Sequence, residues 1–151
     1  MDASATLSRQ GHRLIQLGVG LLLFVSFEGF AIPHFAAPRL GLSVHTLSGL
    51  LSALLPTLGL VWPRLKLGSR ASRLAFGCLI YSSLAIVAAY FLGGIWGAGN
   101  STIPIAAGPA HGSPFRESTI MLVAYSSAPT GIFSFALILW GLRGDPVKLA
   151  V

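Results

Sequence analysis

Four long apolar runs, at roughly residues 14–32, 44–62, 74–96 and 119–142, make up most of this 151-residue chain. Each is close to the ~20 residues that a helix needs to cross a ~30 Å hydrocarbon core. The connections between them are too short to be domains. The runs therefore predict one all-α domain over residues 1–151, an integral membrane bundle of four helices. Any chemistry must sit inside that bundle or at its rim.

Composition agrees. Mean hydropathy is +0.77 and only 9% of the residues are charged, against ~25% in an ordinary soluble domain. The net charge of +6 is no signature of nucleic-acid binding, because the basic residues are scattered and have no aromatic residues among them. Their distribution fits the positive-inside rule. Arg9 and Arg13 precede the first run. Arg64, Lys66, Arg70 and Arg73 lie between the second and third, and Arg143 and Lys148 follow the fourth. On the other side are Arg39 and Arg116. Both termini are thus expected in the cytoplasm of a multi-pass inner-membrane protein. The first run is long for a signal peptide and contains Glu28. The lone cysteine, Cys78, lies in the third run, and no CxxC or CxxCH pattern exists to hold zinc or attach haem covalently.

Residues 1–10 read as a polar tail. Pro56 inside the second run, and Pro129 with Gly131 inside the fourth, predict kinks. The segment 97–118 is rich in Gly, Pro and Ala and nearly uncharged. It is too apolar for a solvated loop, so it is expected to fold over the outer end of the bundle as a cap.

Polar groups within a membrane ask for a reason. Glu28 is the carboxylate inside a run, either as a hydrogen-bonded structural group or as a proton carrier that orients a histidine. His45 opens the second run, with Ser48 and Ser52 on the same helical face and Gly49 beside them. It is either an interfacial residue bonded to loop carbonyls or a ligand. Tyr90, Asn100 and Tyr125 fall at a similar outer depth. His12, His34 and His111 lie outside the runs, at interfacial or solvated positions. Polar groups converging in an apolar cleft are the usual picture of a small-molecule site. Two non-enzymatic readings stand beside it: a small transporter subunit, and a haem-carrying electron-transfer protein. Transporters tend to show inverted repeats at the midplane, and electron-transfer haems usually need two axial side chains.

Three stretches resemble the bacterial hydroxylaminobenzene mutases. They are Pro38-Arg39-Leu40-Gly41-Leu42-Ser43-Val44-His45, the outer segment from Trp96-Gly97-Ala98-Gly99-Asn100 to Ala107, and the ending Leu139-Trp140-Gly141-Leu142-Arg143-Gly144. A more distant likeness is to styrene oxide isomerases. The resemblance implies a membrane isomerase that turns an aryl hydroxylamine into a 2-aminophenol. It implies haem b on His45, flanked by Ser48 and Gly49, and a homotrimer in the lipid bilayer taking small apolar or aromatic substrates. The likeness marks Tyr90 as a catalytic side chain, and shared outer depth adds Glu28, Asn100 and Tyr125 as expected catalytic side chains. Where the mutase pattern carries Glu and Asn two and six residues after the histidine, this chain has Leu47 and Leu51.

The charge asymmetry generates a test. A C-terminal fusion to a reporter enzyme that works only after export should be silent. An active fusion would put that terminus outside.

Overall fold

The computed structural model describes residues 3–143, so Gly144 and Lys148 lie outside the described residues. Four long helices, α1 (Ala3–Ala31), α2 (Pro38–Val61), α3 (Ser69–Trp96) and α5 (Pro114–Gly141), are joined by 3-10 turns at Ile32–His34 and Trp62–Arg64 and by a short α4 (Pro104–Ala107). All four are long and apolar enough to cross a membrane. No strand occurs among the described residues.

Each long helix begins before its apolar run and ends at the run's last residue or one short of it. The polar tail is the clearest correction: α1 already begins at Ala3, and Leu7 and Gln10 are buried. The reason is a stripe. Leu7, Gly11, Leu14, Gly18, Leu21, Val25 and Glu28 are all buried and are separated by alternating steps of four and three residues. That spacing keeps one face of a helix on one partner. Hydropathy alone misses its first three turns, where most of the other faces are polar. Trp62 Nε1 donates to Gln10 Oε1 at 3.0 Å and anchors the tail.

The partner is α2. Its buried residues Gly41, Val44, Ser48, Leu55, Gly59 and the following Trp62 repeat similar spacing. Backbones come close along this seam. A Cβ on Gly59 would lie 2.6 Å from the Gly11 carbonyl oxygen, and one on Gly11 2.5 Å from the Gly59 oxygen. Pro56, within an α2 that continues through it, lays its ring directly on Gly18. Small residues that admit such close approach are the usual basis of helix association in lipid, where no hydrophobic force separates helix from tail.

α3 pairs with α5 as closely, and α2 joins the two pairs through α3, giving the spatial order α1, α2, α3, α5. α5 continues through Pro129. The larger apolar cluster, with Leu14, Leu55, Trp62, Leu79 and Ile138, sits at the end that carries the basic residues. At the other end the clusters are smaller and built largely of alanine. There the chain leaves α3 through Gly97 at φ +59°, a left-handed position that suits glycine. As expected from its composition, the following segment folds back. α4 packs on α2, and Ala107 is buried with Ala37 and Leu40.

This packing makes a paired prediction. Gly59→Ala should destabilise by about 1–3 kcal/mol, as overpacking does. Gly77→Ala, where a Cβ meets nothing within 4 Å, should be neutral or stabilising by up to about 1 kcal/mol. Melting curves in detergent would separate the two.

Candidate active site

Glu28 is the last residue of the α1 stripe, so the helix that packs the bundle also carries a carboxylate into it. The side chain is almost fully buried. Its Oε2 lies 3.1 Å from His45 Nδ1 across the α1–α2 seam, a hydrogen bond whose proton can sit on either atom. Burying a carboxylate without a partner would be expensive, and the imidazole is that partner. The fit is close: a Cβ on Gly29 would approach His45 Cε1 at 3.1 Å. The other carboxylate oxygen, Oε1, is buried without a partner, and so is Ser48 Oγ one turn along α2.

The imidazole is held on one edge only. The His45 side chain is 40% exposed, and a Cβ on Gly49 would meet nothing within 4 Å. His45 therefore combines an oriented Nδ1 with room around the rest of the ring. A carboxylate behind an imidazole is also the arrangement that fixes and strengthens a ligating histidine. Among the described residues, no three His, Cys, Asp or Glu side chains converge as a multi-ligand metal site.

The structure distributes the other expected residues. Tyr90, half-buried on α3, packs beside Ala37, Leu40 and Ala107. Leu40 is five residues before His45 on α2, roughly 7.5 Å along the axis. Asn100 belongs to the cap, where its Nδ2 donates to the Gly108 carbonyl. Tyr125 is 60% exposed on the outward face of α5, in a shallow groove with Ser118, Met121, Leu122 and Ser126. Thus Glu28, His45, Ser48 and Gly49 come together, Tyr90 lies on the helix alongside, and no hydrogen bond links Asn100 or Tyr125 to the pair. His12, His34 and His111 are exposed.

Glu117 was not singled out from the sequence. α5 starts at Pro114, five residues before the fourth apolar run, and this places Glu117 in its first turn. Its Oε1 accepts from the backbone N–H of Gly99 and of Gly112, each at 2.9 Å, and its Oε2 from that of Ser101 at 3.1 Å. One carboxylate thereby closes both ends of the cap onto α5. Arg116 supports it by donating to the Trp96 carbonyl and lying over the indole. An acidic residue just after Ser113-Pro114 was the available signal, since acids favour the first turn of a helix. The cap and the start of α5 bound a cleft of about 540 Å³ lined by Asn100, Ser101, His111, Gly112 and Glu117 among others.

Residues 10–143 match the family model of styrene oxide isomerase. The chain belongs to that family. It is 43% identical over 138 residues to hydroxylaminobenzene mutase HabB of Ectopseudomonas oleovorans, covering 91% of this chain and 84% of the relative. It is 30% identical over 129 residues to hydroxylaminobenzene mutase HabA of the same organism, covering 85% and 96%. No solved structure matches. The relatives are isomerases, and the chain is an enzyme of that type.

The cap offers the cleanest test of the geometry. Glu117→Gln removes the charge that strengthens three backbone hydrogen bonds. Amide exchange at Gly99, Ser101 and Gly112 should accelerate by at least about tenfold, given the ~1.5–3 kcal/mol of a charged bond. The cores of the long helices should exchange as before.

Proposed function

We propose that this isomerase rearranges an aryl hydroxylamine to a 2-aminophenol, with the Glu28–His45 pair at its centre. The hydroxyl leaves nitrogen and reappears on the ortho carbon of the same molecule. The ortho hydrogen departs as a proton, and nitrogen gains one, so the formula is unchanged. The observation that carries the reading is the buried carboxylate holding one edge of a partly open imidazole. The 43% identity to a hydroxylaminobenzene mutase over most of the chain supports the choice of substrate.

Haem b is part of the proposal, with His45 Nε2 as the iron ligand. The residues fit it. Nδ1 is occupied by Glu28, the remainder of the ring is accessible, and Ser48 and Gly49 add little bulk on the following turn. When bound, ferric haem supplies a Lewis acid toward a substrate oxygen. The protein's part follows from its own side chains. Glu28 keeps the His45 proton on Nδ1, so the Nε2 lone pair points away from the seam. Its Oε1 is buried without a partner and is free to hold a proton within the pair. Tyr90 donates a hydrogen bond to the migrating oxygen. Asn100 acts through the cap it secures. The apolar walls exclude the water that would otherwise trap an electron-poor aryl cation.

The assembly we propose is a homotrimer in the inner membrane, with both termini cytoplasmic. Its support is the order α1, α2, α3, α5, which leaves two different outer faces for a head-to-tail ring. The exposed edge of His45 and the outward Tyr125 would then meet neighbouring copies rather than lipid. An apolar substrate reaches such a site through the bilayer.

His45→Ala should abolish both haem absorption and conversion of an aryl hydroxylamine while leaving a folded membrane protein. Glu28→Gln should retain fold and lose about 10–100-fold in rate or haem affinity, the usual effect of removing a carboxylate behind a ligating histidine. Colourless wild-type protein working at full rate would remove the haem and leave Glu28 as the acid.

A further inference from the structure

A second polar site lies at the opposite end of the molecule. There α1 and α3 border a cavity of about 240 Å³ lined by Thr6, Arg9, Gln10, Arg13, Arg73 and Phe76. Arg9 and Arg13 stand one turn apart on the same face of α1, and Arg73 reaches in from α3.

The lining is rich in donors. Gln10 Oε1 already accepts from Trp62, so the amide N–H₂ is the group Gln10 has to offer. Arg73 uses Nε on the Ser69 carbonyl and keeps its terminal nitrogens. Arg9 and Arg13 have no hydrogen-bond or ion-pair partner among the described residues. The carboxylates of the described residues are committed elsewhere, Glu28 to His45 and Glu117 to the cap. Among the described residues no counter-charge faces these three guanidiniums, which repel one another unless an anion joins them.

Depth narrows the anion. Arg13 directly precedes Leu14, where the first apolar run begins, and Arg9 is one turn further out, about 6 Å along the axis. The cavity thus sits at the level of lipid headgroups. Phe76 gives it an apolar wall on α3.

We propose that this cavity binds the phosphodiester of an anionic phospholipid. Guanidiniums match phosphate oxygens two at a time, and basic pockets between membrane helices are a recurrent setting for anionic headgroups. Bound there, the lipid bridges α1 and α3, which otherwise pack on each other only lightly.

Native mass spectrometry of the full chain, titrated with phosphatidylglycerol, phosphatidylcholine or inorganic phosphate, tests this. Phosphatidylglycerol should bind at least about tenfold more tightly than phosphatidylcholine, and millimolar inorganic phosphate should not displace it. The triple variant Arg9→Gln, Arg13→Gln, Arg73→Gln should lose that preference. Arg64→Gln, Lys66→Gln, Arg70→Gln removes the same charge from the same end, outside the cavity, and should keep it. Equal binding of the two lipids, equal loss in both triple variants, or displacement by inorganic phosphate would overturn the proposal. If the cavity variant does not fold, Arg13→Gln alone reads the site, with about a fivefold loss expected for one basic residue and no loss counting against it.

Discussion

The placement of the Glu28–His45 pair depends on the seam between α1 and α2. In lipid, two helices gain little from hiding apolar side chains, and they adhere where their backbones can come close. Here Gly11 meets Gly59 and Gly18 meets Pro56. Those contacts fix the rotation of α1 about its axis. Once that rotation is set, Glu28 has to point at α2, because it continues the same alternation of four and three residues. The carboxylate is not inserted into the core by a special loop. It is the last rung of the packing stripe.

The two ends of the bundle divide the work. At the basic end, bulky residues such as Trp62, Leu55 and Leu79 fill a continuous core. At the other, the apolar clusters are smaller and built largely of alanine, and a single carboxylate, Glu117, ties the cap to α5.

Much of this was legible in the sequence. The four spans, the cap and the approach of Glu28 to His45 follow from hydropathy, glycine and proline content, and depth along each helix. The kinship was legible in the motifs around His45 and Asn100. Depth does not fix rotation, however, and this is why Tyr125 shared a level with His45 but faces outward. Nor does residue type show which polar groups are already committed, as Asn100 is to Gly108. The start of α1 escaped the hydropathy reading because its buried stripe is only one residue wide. Glu117 escaped because its partners are backbone amides, and its place in the first turn after Ser113-Pro114 was the one readable signal.

Glu28 should hold His45 with the proton on Nδ1 and the Nε2 lone pair directed out of the seam. Nitrogen-15 NMR of His45 in protein freed of any bound group measures this directly. The expected spectrum shows a protonated Nδ1 and a bare Nε2, with the tautomer lost in Glu28→Gln. A protonated Nε2 with a bare Nδ1, unchanged when Glu28 is replaced, would contradict it.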